Sequence, residues 1–374
     1  MHSATLLPRE DRRLLRGHLW VYRNEFKQLP ELEDGEMVDV FSAERRLVGR
    51  GFYQNRGGIA VRLLSRHQEE LDPAFFATRI AQAHAFRERL FPGQAAYRWI
   101  FGESDGLPGL VADRYGSVVS ARTSCAFYSQ FADQLAEIFL AHPGVEGLQL
   151  DINNVVRNFG VIPDQLTFAL DGLQLGLQLT GAQKTGMFLD QRVNAQRIRP
   201  FAPGARVLDG HCYVGVWSCH AALAGATAVI GVDSSEKALE QARENARING
   251  VADRCTFECA EVETVLQQGA LFDVVLLDPP AYAKTRAVAS KALARYQALN
   301  VLAMNAVEPG GILISSSCSH FVDEGDFLEM LKRAAGAAKR QVLVLEFAGA
   351  APDHPVLLSM PETKYLKCAV LRVL

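Results

Sequence analysis

Apolar positions change their rhythm three times along the chain. Up to about residue 70 they come as short runs broken by turns: Met37-Val38-Asp39-Val40-Phe41, then 47–53, then 59–64. Alternation at period two, with glycines between the runs, predicts a small antiparallel β domain. Over 72–90 the spacing of Phe75, Phe76, Ile80, Ala83, Phe86 and Leu90 behind Pro73 is that of a helix. Strand-like segments at 110–113 and 118–121 then flank a second helical stretch near 127–141, so the middle of the chain reads as α+β. From Arg206 onward the rhythm becomes strand, loop, helix. Val207-Leu208, 228–232, 255–257, 274–277 and 311–315 are apolar runs separated by helical segments. Continuous apolar strands alternating with helices predict a parallel sheet covered on both faces. The helix over 234–249 is the clearest. Ser234 or Ser235 caps it, Ala238, Leu239, Ala242 and Ala246 form its inner stripe, and Gly250 ends it. Two closing runs, 341–345 and 365–373, have the form of a hairpin that completes the sheet. The expected class is α/β: a doubly wound Rossmann-like sheet over 181–374, preceded by a β-rich domain (1–71) and an α+β domain (72–180).

Composition narrows the class without changing it. A chain of 374 residues with 49% apolar and 22% charged positions has room for two or three packed domains and is not disordered, collagen-like or coiled-coil. The net charge of −3 supplies no global field for nucleic acid or anionic lipid. That average hides a basic start: within the first 24 residues, Arg9, Arg12, Arg13, Arg16 and Arg23 face only Glu10 and Asp11. Such a cluster is either a solvated face or a phosphate-contacting arm. No run of eighteen uncharged apolar residues predicts a membrane span, and the opening lacks the basic patch and apolar core of a signal peptide. Seven dispersed cysteines without a Cys-x-x-Cys pair fit free thiols in a cytoplasmic protein, and neither a disulfide framework nor a metal site is expected.

In a doubly wound sheet, ligands bind beyond the carboxyl ends of the strands, so the chemistry is sought there. The first predicted strand runs into Asp209-Gly210-His211-Cys212-Tyr213-Val214-Gly215, a tight loop in which Gly215 would let backbone approach a ligand. It is neither a Gly-x-Gly-x-x-Gly nor a Gly-Lys-Ser/Thr fingerprint. Asp233 ends the second strand, where a carboxylate can accept both hydroxyls of a ribose; its plainer reading is a charge favoured by a helix N-terminus. Glu261 could accept from an adenine amino group, or be an exposed loop acid. Asp278-Pro279-Pro280-Ala281-Tyr282 follows the fourth strand. Its prolines hold a rigid extended loop that would present an acid and an aromatic to a flat polar group, unless it is only a tight turn. The fifth strand ends in Ser315-Ser316-Ser317-Cys318-Ser319-His320. Small polar neighbours leave Cys318 accessible as a nucleophile, although an isolated cysteine is often inert.

These loops, in this order, resemble the class I S-adenosylmethionine-dependent methyltransferases. More closely, the chain resembles bacterial large-subunit ribosomal RNA cytosine-5 methyltransferases with an N-terminal PUA domain. The likeness spans essentially the whole sequence. It is carried by 12–22 (RRLLRGHLWVY), 103–110 (ESDGLPGL), 183–192 (QKTGMFLDQR), Val207-Leu208-Asp209 with Tyr213 and Gly215, Asp278-Pro279-Pro280, Ser317-Cys318-Ser319-His320 and Tyr365-Leu366-Lys367. The resemblance implies that Lys184, Thr185, Phe188, Asp190, Asp209, Cys212, Tyr213, Gly215, Asp233, Glu261, Asp278 and Pro279 line the pocket for S-adenosylmethionine. It implies that Cys318 is the nucleophile and that Asp278 lies between cofactor and base. Tyr282, His320, Arg12, Arg13 and Arg16 would contact RNA. This chain departs from the family pattern at His211, Val214, Val216, Glu261 and Ala281.

The implied product is 5-methylcytosine in large-subunit ribosomal RNA, with the target base single-stranded, looped or flipped out. Asp278 would accept from the exocyclic amine or share a proton at ring nitrogen 3. Two other readings stay open: methylation of a base nitrogen, which needs no cysteine, and a non-catalytic RNA-binding protein with a degenerate cofactor fold. A homodimer is compatible with the sequence.

Overall fold

The computed structural model describes residues 2–178, 186–283 and 285–374. They form two compact units. One comprises residues 2–168 together with Pro352–Thr363; the other comprises Ala169–Leu177, Met187–Ala351 and Lys364–Leu374. The contiguous boundaries expected from the sequence differ from this division: no break falls at 71/72, and two segments change unit, each with a local cause. Leu173–Leu177 joins the second unit because Asn245 Oδ1 accepts from Gly176 N (2.8 Å) and Asn249 Oδ1 from Gln174 N (2.9 Å). Pro352–Thr363 joins the first because Asp353 is buried there: its carbonyl accepts from Arg87 Nη2 (2.7 Å) and its Oδ2 from Arg98 N (2.8 Å).

The first unit holds two sheets. Six strands lie in the order Trp20–Tyr22, Ile59–Ser65, Leu47–Tyr53, Met37–Phe41, His2–Leu6, Phe26–Gln28. Every neighbour is antiparallel except His2–Leu6, which runs parallel to Met37–Phe41. Thus the expected antiparallel domain contains one parallel pair. Cross-strand Asp39 and Arg50 form a buried bidentate pair at 2.7 and 2.9 Å. The second sheet has five strands in the order Val155–Gly160, Gly147–Ile152, Val118–Thr123, Leu110–Tyr115, Ala96–Phe101. Helix Pro73–Leu90 packs on it, with Pro73 in the first turn and the Asp72 carboxylate accepting from Phe75 N (2.9 Å). The second helical stretch is α-helical only over Ala132–Leu140 and is preceded by a 3₁₀ turn, Ala126–Phe131. Phe52 and Leu64 of the first sheet share a core with Trp99 of the second and with Phe76, Phe127 and Phe139 of the helical segments packed on it, and the rings of Phe52 and Phe127 stack at 4.5 Å. A shared core makes the two sheets one unit.

The second unit is built on seven strands: β1 (Arg206–Gly210), β2 (Ala228–Asp233), β3 (Cys255–Cys259), β4 (Phe272–Leu277), β5 (Val307–Ser317), β6 (Val342–Ala348) and β7 (Lys367–Val373). Their order is β3-β2-β1-β4-β5-β7-β6. The first five are parallel, while β7 runs antiparallel to both β5 and β6. The last two strands pair as expected, but the chain between them is the excursion over 349–366, not a tight turn. Helix Glu236–Ile248 is capped by Ser235 Oγ accepting from Ala238 N (3.3 Å), and Gly250 follows it at φ +68°. The strand order reverses at β1 and β4, so the crevice beyond their carboxyl ends is where this architecture receives a ligand. Among the described residues no helix is long and apolar enough to cross a membrane.

Candidate active site

Asp209 lies in β1 and is fully buried. Its Oδ2 accepts from Ser218 Oγ (2.7 Å), while Oδ1 is buried with no donor among the described residues. Burial pushes its carboxyl up to about 7, against the opposing pull of the Ser218 hydrogen bonds. In the following loop His211 and Tyr213 both take left-handed backbone, at φ +63° and +49°. Non-glycine residues adopt that conformation only where surrounding structure over-determines it. At Tyr213 the hold comes from Asp233 at the end of β2: its Oδ2 accepts from Tyr213 N (3.0 Å) and its Oδ1 from Ser235 N (2.9 Å). Cys212 N donates to Val232 O (3.0 Å), and burial holds its thiol neutral by raising its pKa well above the ordinary value. Gly215 serves packing more than ligand approach. It sits at φ +75°, and a Cβ there would lie 3.1 Å from Ala242 Cβ and 3.2 Å from Phe257. Phe188 meets Tyr213 edge-on at 5.1 Å, and Glu261 is exposed at the start of helix Val262–Leu266. Lys184 and Thr185 lie outside the described residues.

A polar cluster closes this side. The Arg295 guanidinium lies 4.1 Å over the Tyr282 ring and 3.7 Å from Glu263, and burial raises the Tyr282 phenol. His211 Nε2, Glu263 Oε2 and Tyr282 OH are all buried without a partner among the described residues. Glu263 and Arg295 were not singled out from the sequence, because nothing local marks them.

Beyond β4 and β5 the reactive groups gather. Asp278 Oδ1 accepts from Gln191 Nε2 (2.8 Å), and Asp278 N donates to Gly210 O (3.2 Å). Cys318, half-buried, directs its thiol at the carbonyl of Pro279 (3.8 Å). Acid and thiol are thus brought to one place by the double-proline loop. The Ser319 hydroxyl bonds to Tyr296 OH (2.9 Å) and accepts from Ala283 N (3.1 Å). Lys367, 3% exposed at the start of β7, donates to Ser319 O and Tyr365 O, each at 2.7 Å. Burial pulls its ammonium down to about 8, opposed by Cys318, Asp323 and Glu324. Asp190 is buried and accepts from Tyr365 OH (2.5 Å). His320 is exposed with its ring edge-on to Phe321 at 5.2 Å.

In the first unit Arg12 and Arg16 are exposed, whereas Arg13 donates to Glu25 Oε1 (2.7 Å) and to Trp20 O (2.9 Å). No group of residues able to hold a metal ion occurs among the described residues.

Two family models match the chain: a PUA-like domain over 4–66 and an S-adenosylmethionine-dependent methyltransferase over 163–357. The ribosomal RNA large subunit methyltransferase I of Shewanella denitrificans is 35% identical over 98% of both chains. That of Pseudoalteromonas atlantica is 33% identical over 99% of both. The chain belongs to this family. Two solved structures share the fold over 100% of both chains: a Streptococcus mutans protein described as a SAM-dependent methyltransferase (20% identity, TM-score 0.88) and a methyltransferase complexed with SAH (21% identity, TM-score 0.89). The methyltransferase fold and the dependence on S-adenosylmethionine expected from the sequence are therefore the chain's own. The residues fit that cofactor. Asp209 keeps a buried oxygen that lacks a donor among the described residues, and each Asp233 oxygen has a lone pair left for a hydroxyl.

Proposed function

We propose that this methyltransferase forms 5-methylcytosine in large-subunit ribosomal RNA, with Cys318 as nucleophile. The observation that carries the reading is the contact of the Cys318 thiol with the Asp278-Pro279-Pro280 loop, through the Pro279 carbonyl at 3.8 Å. Relatives named for large-subunit ribosomal RNA support the substrate, as do the PUA-like match and the exposed Arg12 and Arg16 within it. Free cysteines throughout suit a cytoplasmic enzyme.

Asp209, Tyr213, Asp233 and Glu261 would hold the cofactor, with Phe188 beside Tyr213. When bound, S-adenosylmethionine supplies an electrophilic methyl group. Carbon 5 of cytosine is a poor nucleophile until a group adds at carbon 6. The Cys318 thiolate forms that carbon–sulfur bond, and the displaced electron pair makes carbon 5 nucleophilic. Asp278 orients the ring by accepting a hydrogen bond from it. After carbon 5 has gained the methyl group, it loses its hydrogen as a proton. The freed electron pair restores the ring double bond and expels the Cys318 thiolate.

The test is Cys318→Ala with an RNA substrate, followed by nucleoside mass spectrometry. Loss of 5-methylcytosine formation by about 10³-fold or more is expected. RNA carrying 5-fluorocytosine, which cannot shed a proton from carbon 5, should become covalently attached to wild-type enzyme. Retained methylation in the alanine variant would show that the nucleophile is misassigned.

A further inference from the structure

The Asp278 carboxylate takes part in a chain of side-chain hydrogen bonds whose polarity is set at Arg197 and Gly349. Arg197 Nε donates to Asn194 Oδ1 (3.1 Å), and Asn194 Nδ2 donates to the carbonyl of Gly349 (3.0 Å). A guanidinium only donates and a backbone carbonyl only accepts, so these two contacts leave one orientation for the Asn194 amide. Its nitrogen also meets Gln191 Oε1 (2.6 Å), which must therefore be the oxygen. The Gln191 nitrogen is then the atom facing Asp278 Oδ1, at 2.8 Å. Gln191 and Asn194 are 5% and 1% exposed, so neither amide is free to turn over.

We infer that Gln191, oriented by Asn194, Arg197 and the Gly349 carbonyl, fixes Asp278 as a hydrogen-bond acceptor and so makes the enzyme select cytosine over uracil. The inference rests on the proposed 5-methylcytosine activity and adds what decides the base. A donor held against Oδ1 favours the ionised carboxylate over the carboxylic acid. An ionised carboxylate pairs with the exocyclic amine of cytosine and opposes the carbonyl that uracil carries at the same ring position. Of the two uses open to Asp278, accepting from the amine is thereby favoured over handing a proton to ring nitrogen 3. Gln191 does not touch the base. It is a positioning residue, and its loss acts through Asp278.

Two variants test this. Gln191→Met keeps the bulk and removes the donor. Asn194→Asp replaces the donor that holds Gln191 Oε1 with an oxygen, so the glutamine nitrogen is no longer held toward Asp278. The methylated position is first mapped with wild-type enzyme. Transcripts of that ribosomal RNA region are then made with cytidine or uridine at the position, and kcat and KM are measured across pH. Both variants are expected to lower kcat on cytidine at least 10-fold, with KM changed less than about 3-fold. The uridine-to-cytidine ratio of kcat/KM should rise at least 10-fold, and the acid limb of the kcat profile should move to higher pH. A merely structural role would lower both substrates together and leave the ratio and the limb in place. A ratio within twofold of wild type in the variants overturns the inference alone. A wild-type product other than 5-methylcytosine overturns the inference together with the reading beneath it. If Gln191→Met does not fold, Asn194→Asp carries the same expected changes and the same contradicting result.

Discussion

Asp209 shows how a single residue of the proposed cofactor site bears on stability. Its carboxyl is raised by burial from 3.8 to about 7, so the native chain binds a proton there that the unfolded chain has released. Between those two values the folded state takes up more protons than the unfolded one. Stability of the cofactor-free protein should therefore fall as pH rises from about 4 to about 7, then level off. Asp209→Asn removes the titration. Urea unfolding at pH 5 and pH 8 should show wild type losing about 2–3 kcal/mol relative to the variant over that interval. Parallel pH dependence in the two proteins would mean that Asp209 does not titrate in this range. Which residues reach the crevice was partly legible from sequence, because Asp233, Asp278 and Cys318 stand at the ends of apolar runs. Gln191 and Lys367 stood in resembling segments without a role, and Asn194 and Arg295 in none, because their significance lies in partners elsewhere along the chain. Gln191 meets Asp278, and Lys367 holds the carbonyl of Ser319.

Among the elements, the parallel strands declared themselves through unbroken apolar runs, which a sheet covered on both faces requires. The strand His2–Leu6 did not, since its parallel partner Met37–Phe41 lies well downstream and no local pattern encodes that pairing. The sharing of one core by the first two sheets was equally hidden: period-two alternation says which side is buried, not against what. Phe52 is the direct probe of that core. Its ring is fully buried and stacks on Phe127. Phe52→Ala should cost about 3–5 kcal/mol. Amide exchange should accelerate together in Leu47–Tyr53 and Leu110–Tyr115. Acceleration confined to the first strand would mean that the two sheets open separately.

For the whole molecule, a near-neutral charge turned out to be uninformative about function, because it averages a basic start against an acidic remainder. The order of motifs was informative. It anticipated both the methyltransferase family and the PUA-like start that the two family models cover. What no motif supplies is the atom that receives the methyl group, and that is the centre of the proposed function. Nucleoside mass spectrometry of large-subunit ribosomal RNA, from cells with and without this protein, addresses it directly. The expected result is a 5-methylcytosine that disappears with the protein and returns with the wild-type chain but not with Cys318→Ala. Unchanged 5-methylcytosine accompanied by loss of a methyl group from a base nitrogen would contradict it.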